Sequence, residues 1–250
     1  MIRKSLAQTK AATYSIMFPS SDPAYQGMPV PRGTAFFIDP TGYCLTARHV
    51  IEGADIAEAT LMQTPSPGNW GMQIVQSLEL VADWREYDLA LLKADFGKNS
   101  NKAHLVDRSG FPYLPVEVDA QEDGTPVYAF GYPLPQAPAP IAGGAVLVSH
   151  VGLGPRTTSA IIASTIEHTR MVQTGADAKV YVLDKALNYG NSGGPIVLSE
   201  TGHAFAVCSR FQPVSIPQPS GAAVPAVWIP SLYGVGAAIS NIASELTQRQ

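Results

Sequence analysis

Asn188-Tyr189-Gly190-Asn191-Ser192-Gly193-Gly194-Pro195 sets a serine among glycines and runs straight into the apolar Ile196-Val197-Leu198. Glycine adopts backbone angles that other residues avoid and lets another chain approach closely. A serine on such a turn can offer its hydroxyl as a nucleophile, while the Gly190 and Ser192 amides converge on a developing oxyanion. A plain β-turn would use the same glycines. The letters also fit Gly-x-Ser-x-Gly, the nucleophile elbow of α/β-hydrolases, which needs a helix after the serine and then an acid and a histidine. Here Pro195 opens a strand-like run, and the only later histidine, His203, follows eleven residues on. The stretch points instead to a serine on a loop between strands.

The rest of the chain agrees. Runs rich in β-branched and aromatic residues, bounded by turn residues, predict about a dozen strands. They are Ala12–Phe18, Gly33–Ile38, Tyr43–Ala47, Ala57–Met62, Gln73–Trp84, Asp88–Lys93, Val127–Gly131, Ala145–His150, Ser159–Glu167, Lys179–Asp184, Pro195–Leu198, Ala204–Phe211 and Tyr233–Ala238. Helix is expected only as a single turn near His49–Glu52 and from about Ile239 to Gln248. Strands do not alternate with helices, so a doubly wound sheet is not expected. A large β-sandwich or two small barrels remain. The polar Gly97–Pro115 falls near the middle and can join two halves, about 1–110 and 111–250. Pro133–Pro140 and Phe211–Pro230 read as loops, because proline lacks the ladder donor.

The chain has 250 residues, 46% hydrophobic and 14% charged, enough to build a core without disulfide staples. The formal net charge of −4 and the lack of a dense Lys/Arg run argue against a nucleic-acid partner. No run approaches the ~20 apolar residues of a membrane span. No histidine or cysteine pair has metal-ligand spacing, so no metal is expected. No glycine-rich string leads from a strand into a helix to cradle phosphate, so no cofactor is expected either. Cys44 and Cys208 read as reduced and structural. Met1-Ile2-Arg3-Lys4 starts like a signal peptide, but Gln8 and Lys10 interrupt the apolar stretch. With Met1 as the native start, the expectation is a soluble, cytoplasmic protein.

A nucleophilic serine needs a base, and histidine is the natural one near neutral pH. Of five histidines, only His49, in Leu45-Thr46-Ala47-Arg48-His49-Val50, stands at a corner between an apolar strand and a helical turn. The imidazole needs a carboxylate to fix its tautomer. Asp88 heads the apolar strand Asp88-Leu89-Ala90-Leu91-Leu92-Lys93, where an unpaired carboxylate would be costly. A bland reading makes it a turn cap. Asp83 and Asp95 head no such strand.

These three segments, in the order His, Asp, Ser, resemble the trypsin-like (chymotrypsin-fold) serine peptidases, and most closely the bacterial HtrA/Deg-type branch. The resemblance runs from Gly33-Thr34-Ala35-Phe36-Phe37-Ile38 to Gly234-Val235-Gly236-Ala237-Ala238-Ile239. It implies an all-β chain of two antiparallel six-stranded barrels with a short C-terminal helix and the site between the barrels. It implies His49 as base, Asp88 as orienter and Ser192 as nucleophile. Gly190, Ser192 and Asn191 would supply the oxyanion hole. Ser209 would back the aspartate, and the strand Ser209-Arg210-Phe211 would pair with a peptide substrate.

Two departures refine the expectation. Trypsin-type zymogens carry an aspartate where this chain has Asn191, so no activating cleavage is expected. Basic specificity needs an aspartate where this chain has Ala186. With Ala186, Leu187 and Cys208 about the pocket, a small or medium apolar residue is expected before the scissile bond. The chain ends at Gln250, soon after the expected helix, so the PDZ domain of the HtrA branch is not expected. An uncleaved cytoplasmic peptidase needs restraint, through narrow specificity, a regulatory partner protein or a disordered resting site. The alternative function is a catalytically silent module that binds extended peptides as scaffold or sensor.

Overall fold

The computed structural model describes residues 2–21, 28–64, 73–106, 108–133, 154–169, 178–216 and 227–248. Side chains are described for these except 2–4, 168–169, 211–216 and 227–231. The first half runs α1 (Ile2–Ala12), β1 (Thr13–Pro19), β2 (Pro29–Phe37), β3 (Tyr43–Ala47), the one-turn α2 (Arg48–Ile51), β4 (Thr60–Gln63), β5 (Gln73–Val75), β6 (Leu78–Trp84), β7 (Leu89–Ala94) and α3 (Phe96–Asn99). Its strands form an antiparallel sheet in the order β5-β4-β1-β2-β3-β7-β6.

The two ends of that sheet are neighbours in the chain. Only Gln76 and Ser77 separate β5 from β6, and Ser77 takes the left-handed φ of 61°. One strand therefore bends to serve both edges, as the single predicted run Gln73–Trp84 implies, and counted that way the sheet has six strands. Asn99 holds the bend. Its Oδ1 accepts from Gln76 N at 3.0 Å and its Nδ2 donates to Gln76 O at 2.8 Å.

The second half is a closed antiparallel barrel of β8 (Pro126–Gly131), β9 (Arg156–Thr169), β10 (Ala178–Leu183), β11 (Pro195–Leu198), β12 (Ala204–Ile216) and β13 (Val227–Ala238). A 3₁₀ turn (Ile239–Ile242) and α4 (Ala243–Thr247) follow. One apolar cluster joins the two halves, running from Tyr14, Phe36 and Leu45 to Val207, Val235 and Leu246. A second fills the closed barrel around Ile196, Phe205 and Tyr181. Burial of this kind stabilises by roughly 25 cal/mol per Å² of apolar surface. Cys44 and Cys208 are free and buried. Burial pushes the Cys208 thiol up to about 12 and raises that of Cys44 as well.

Four elements differ from expectation, the first being the predicted strand Ala57–Met62, which begins as a 3₁₀ turn (Ile56–Glu58) before β4. The helix α1 was not foreseen. Its Ala, Leu, Lys and Gln favour helix, but a scan for an uninterrupted apolar leader passes over them. Gln63 Nε2 lies 2.7 and 3.0 Å from Lys10 O and Ala11 O, among the last carbonyls of the helix, and 2.6 Å from Thr13 O at the start of β1. Thr9 reaches across to the second half through a 2.9 Å bond to the Tyr128 hydroxyl. The short α3 was also missed; the Asp95 side chain caps it at Lys98 N.

The described parts of the expected loop Phe211–Pro230, residues 211–216 and 227–230, are strand. β12 and β13 continue past the barrel as a ribbon in which Pro213 faces Pro230, next to a register shift between Phe211 and Pro213. Proline is tolerated at such irregularities and at free edges, where no ladder donor is missed. Residues 217–226 lie outside the description, as do the predicted strand Ala145–His150 and residues 134–140 of the proline-rich loop.

Candidate active site

β3 and β7 are neighbours, with Ala47 paired to Leu89. The residues just past the end of β3 and just before the start of β7 are therefore adjacent. These are Arg48 and Asp88, with His49 next along the chain. The register continues one step, with Arg48 N donating to Asp88 O at 3.1 Å. His49 N then donates to Asp88 Oδ1 at 3.0 Å, and His49 Nδ1 lies 3.0 Å from Oδ1 and 2.9 Å from Oδ2. With Nδ1 bound to the carboxylate, the ring can carry its proton there and keep Nε2 as the basic nitrogen. Asp88 itself stands at φ 54°, ψ 39°, a left-handed setting that Asp accepts more readily than most residues.

The His49 side chain is 43% exposed and that of Asp88 13%. Burial alone would raise the Asp88 carboxyl. The hydrogen bond and charge of His49, the Ser209 hydroxyl and the His49 backbone N–H outweigh it and hold the group below its ordinary value. The rival acids are used elsewhere. Asp83 pairs with Arg48 at 3.1 Å, and Asp95 caps α3.

Ser192 enters from the second half. Its loop is tied to β12 by bonds from Gly193 N to Cys208 O (2.7 Å) and from Cys208 N to Gly194 O (2.8 Å). One residue further along β12, Ser209 touches both Asp88 and Ser192. Its hydroxyl donates to Asp88 Oδ2 at 2.5 Å, and its carbonyl accepts the Ser192 hydroxyl at 3.1 Å. His49, Asp88, Ser209 and Ser192 thus form one cluster across the two halves. Among the described residues Ser192 Oγ has no hydrogen bond to His49; it rests on Ser209 O.

A family profile for the trypsin-like peptidase domain matches residues 33–207. The chain belongs to the trypsin-like peptidase family. The matched span of this trypsin-like peptidase contains His49, Asp88 and Ser192. Its fold is similar to solved structures of the HtrA-type protease AlgW. The form with a decapeptide is 20% identical with a TM-score of 0.61, over 99% of this chain and 66% of that one. The form with a tripeptide is 20% identical with a TM-score of 0.59, over 99% of this chain and 62% of that one. This chain thus spans less than two thirds of the length of those structures. No curated protein matches it.

The oxyanion candidates of the trypsin-like peptidase separate in the structure. Gly190, at φ 91°, and Ser192 have backbone N–H groups with no acceptor among the described residues. Asn191 does not join them. Its N–H donates to Asn188 O at 3.0 Å, and the residue is 4% exposed. The turn that exposes its two neighbours uses up its own amide.

The specificity candidates also divide. Leu187 belongs to the core of the closed barrel, where a Cβ on Gly234 would come within 2.4 Å of its Cγ. It packs in the barrel core at 4% exposure, whereas the sequence reading places it about a specificity pocket. Cys208 is likewise core, whereas Ala186 is half-buried. Ser209 and Arg210 lie past Val207, the last β12 residue paired with β11. From there β12 pairs with β13 alone among the described strands, and Phe211 shares that open edge through its backbone.

Sequence reasoning missed one support of the site. Trp84 Nε1 donates to Glu245 Oε2 on α4. Trp84 is the residue just before the 3₁₀ turn Arg85–Tyr87 that delivers Asp88. A bond spanning 161 residues leaves no signature in local sequence. Among the described residues no helix is long and apolar enough to cross a membrane, and no group of three or more His, Cys, Asp or Glu could hold a metal ion.

Proposed function

We propose that this trypsin-like peptidase cleaves peptide bonds through an acyl-enzyme on Ser192. His49 Nε2 takes the Ser192 proton as the oxygen adds to the scissile carbonyl. It hands that proton to the leaving amine as the C–N bond breaks. Water, deprotonated by the same nitrogen, then hydrolyses the ester and restores Ser192. Asp88 holds the ring and balances the imidazolium, and the Gly190 and Ser192 N–H groups receive the oxyanion. The observation that carries this reading is the grip of Asp88 on both His49 Nδ1 and the Ser209 hydroxyl, with Ser192 on the same Ser209.

The substrate is an extended peptide that adds a strand to the open edge of β12 at Ser209–Arg210–Phe211. The absence of a carboxylate at Ala186 favours a small or medium apolar residue before the scissile bond. Asn191, buried and uncharged, has no ion pair to await, so the uncleaved chain is competent.

A fluorophosphonate probe tests the reading. Wild type should label and Ser192→Ala should not, with turnover falling by on the order of 10⁶. A folded wild type that neither labels nor cleaves overturns it. One observation favours a second reading, a silent peptide-binding module: the Ser192 hydroxyl rests on Ser209 O and not on His49. Peptide binding without labelling would establish that alternative. A rotation about the Ser192 Cα–Cβ bond between staggered wells redirects the hydroxyl, so the first reading is preferred.

A further inference from the structure

Thr34 lies on β2 of the first half, wholly buried, and touches the Ser192 loop at two points. Its backbone N–H donates to Ser192 O at 2.8 Å. Its hydroxyl donates to Gly190 O at 2.6 Å and accepts from Tyr132 N, beyond the end of β8, at 3.2 Å. Its own carbonyl accepts the Thr46 hydroxyl at 2.8 Å. The loop sits tightly against it. A Cβ on Gly193 would lie 1.9 Å from Thr34 O, and one on Gly194 would lie 3.3 Å from Thr34 Cγ2.

A trans peptide unit is planar, with its C=O and N–H on opposite edges. The Gly190–Asn191 unit is held at both edges, by the Thr34 hydroxyl on Gly190 O and by Asn188 O on Asn191 N–H. The Ser192–Gly193 unit is held likewise, by Thr34 N–H on Ser192 O and by Cys208 O on Gly193 N–H. The unit between them carries the unpaired Ser192 N–H, and its carbonyl, Asn191 O, accepts from Gly194 N at 2.8 Å. Gly190 is free to rotate where nothing pins it, and the Thr34 hydroxyl is the side-chain group that pins its carbonyl.

We propose that Thr34 is a positioning residue for the oxyanion loop. Its hydroxyl and its N–H fix the two peptide units on either side of the one that carries the Ser192 N–H, so that this N–H stays aimed at the tetrahedral intermediate. Through Tyr132 N the hydroxyl also ties that setting to the end of β8. The proposal rests on the reading of Ser192 as the nucleophile of a peptidase. It differs from a packing role, which would affect stability without separating transition state from ground state.

Wild type, Thr34→Val and Thr34→Ser are compared after thermal melting has established that each is folded. The substrate is succinyl-AAPV-p-nitroanilide, and the ligands are the AAPV aldehyde, which places an oxyanion in the hole, and the AAPV acid, which does not. Thr34→Val should lower kcat by on the order of 10² and weaken the aldehyde in parallel, with KM and acid binding changed less than about two-fold. Thr34→Ser, which keeps the hydroxyl, should recover kcat to within about five-fold of wild type. A Thr34→Val enzyme within about three-fold of wild type in kcat overturns the proposal, as does a serine variant no better than valine, or equal losses for aldehyde and acid. Should Thr34→Val not fold, Thr34→Cys keeps a weaker donor and should give an intermediate kcat; wild-type kcat there overturns the proposal. A wild type that neither labels nor cleaves sinks both readings, whereas an active wild type with an indifferent Thr34→Val sinks this one alone.

Discussion

Ser209 accepts the Ser192 hydroxyl on its carbonyl at 3.1 Å while its own hydroxyl donates to Asp88 at 2.5 Å. One residue of the second half thus touches Ser192 with its backbone and Asp88 of the first half with its side chain. Replacing the side chain leaves the backbone contact in place. Ser209→Ala should therefore keep the Ser192 contact yet strip one hydrogen bond from a mostly buried carboxylate. Bonds to charged groups are worth about 1.5–3 kcal/mol. The expected outcome is a kcat about ten-fold lower or more with little change in KM, read from steady-state kinetics. An unchanged kcat would remove Ser209 from the machinery.

Asp88 carries a pH prediction. Its folded carboxyl is held below the ordinary carboxylate value by His49 and Ser209 despite burial. A group depressed in the folded state binds its proton more readily when unfolded. Its stabilisation is therefore present above the unfolded value, about 3.9, and is lost as pH falls through the folded value. Melting temperature followed from pH 7 to 2.5 should fall steeply at the acid end for wild type and less steeply for Asp88→Asn. At neutral pH the same variant should lose about 10⁴ in kcat, because the asparagine no longer holds the His49 tautomer. Parallel acid limbs for the two proteins would contradict the assignment of the depressed carboxyl.

Trp84 and Glu245 bind the C-terminal helix to the turn that delivers Asp88. Trp84→Phe keeps an aromatic ring and deletes the donor. Loss of one hydrogen bond, with a carboxylate left short of a partner, should cost about 1–3 kcal/mol in urea unfolding. If the bond also steadies Asp88, kcat should drop a few-fold while KM holds. A stability loss with kcat untouched would confine the pair to packing.

Asn99, 1% exposed, holds the bend between β5 and β6 through two bonds to Gln76. Asn99→Ala would leave the Gln76 N–H and C=O unpaired in a part-buried site. The expected loss is about 2–4 kcal/mol by urea denaturation, from two unsatisfied backbone groups. A loss below about 0.5 kcal/mol would mean that water replaces both bonds.

Much of this protein was legible before folding. The strands follow from alternation and β-branched runs, the single bent strand from an uninterrupted stretch between Gln73 and Trp84, and the three catalytic candidates from glycine turns and strand corners. These signals are local: backbone preference and turn chemistry act over a few residues. The ribbon of β12 and β13 was masked because its prolines oppose a ladder that only pairing reveals. The helix α1 was masked because its buried Thr9 gains meaning only against Tyr128.

Sequence alone determined the all-β character and the serine loop with its glycines, and singled out His49 and Asp88 as candidates, because each rests on neighbours along the chain. Tertiary structure alone decided that Asn191 donates to Asn188 while the Gly190 and Ser192 N–H groups stay unpaired among the described residues, that Leu187 is core, and that Thr34 grips the loop. The bonds that set the site span 121 residues from Ser209 to Asp88 and 156 from Thr34 to Gly190. Such bonds exist only once two separately patterned sheets bury a common apolar face, and local composition does not record which polar atoms that burial brings within reach.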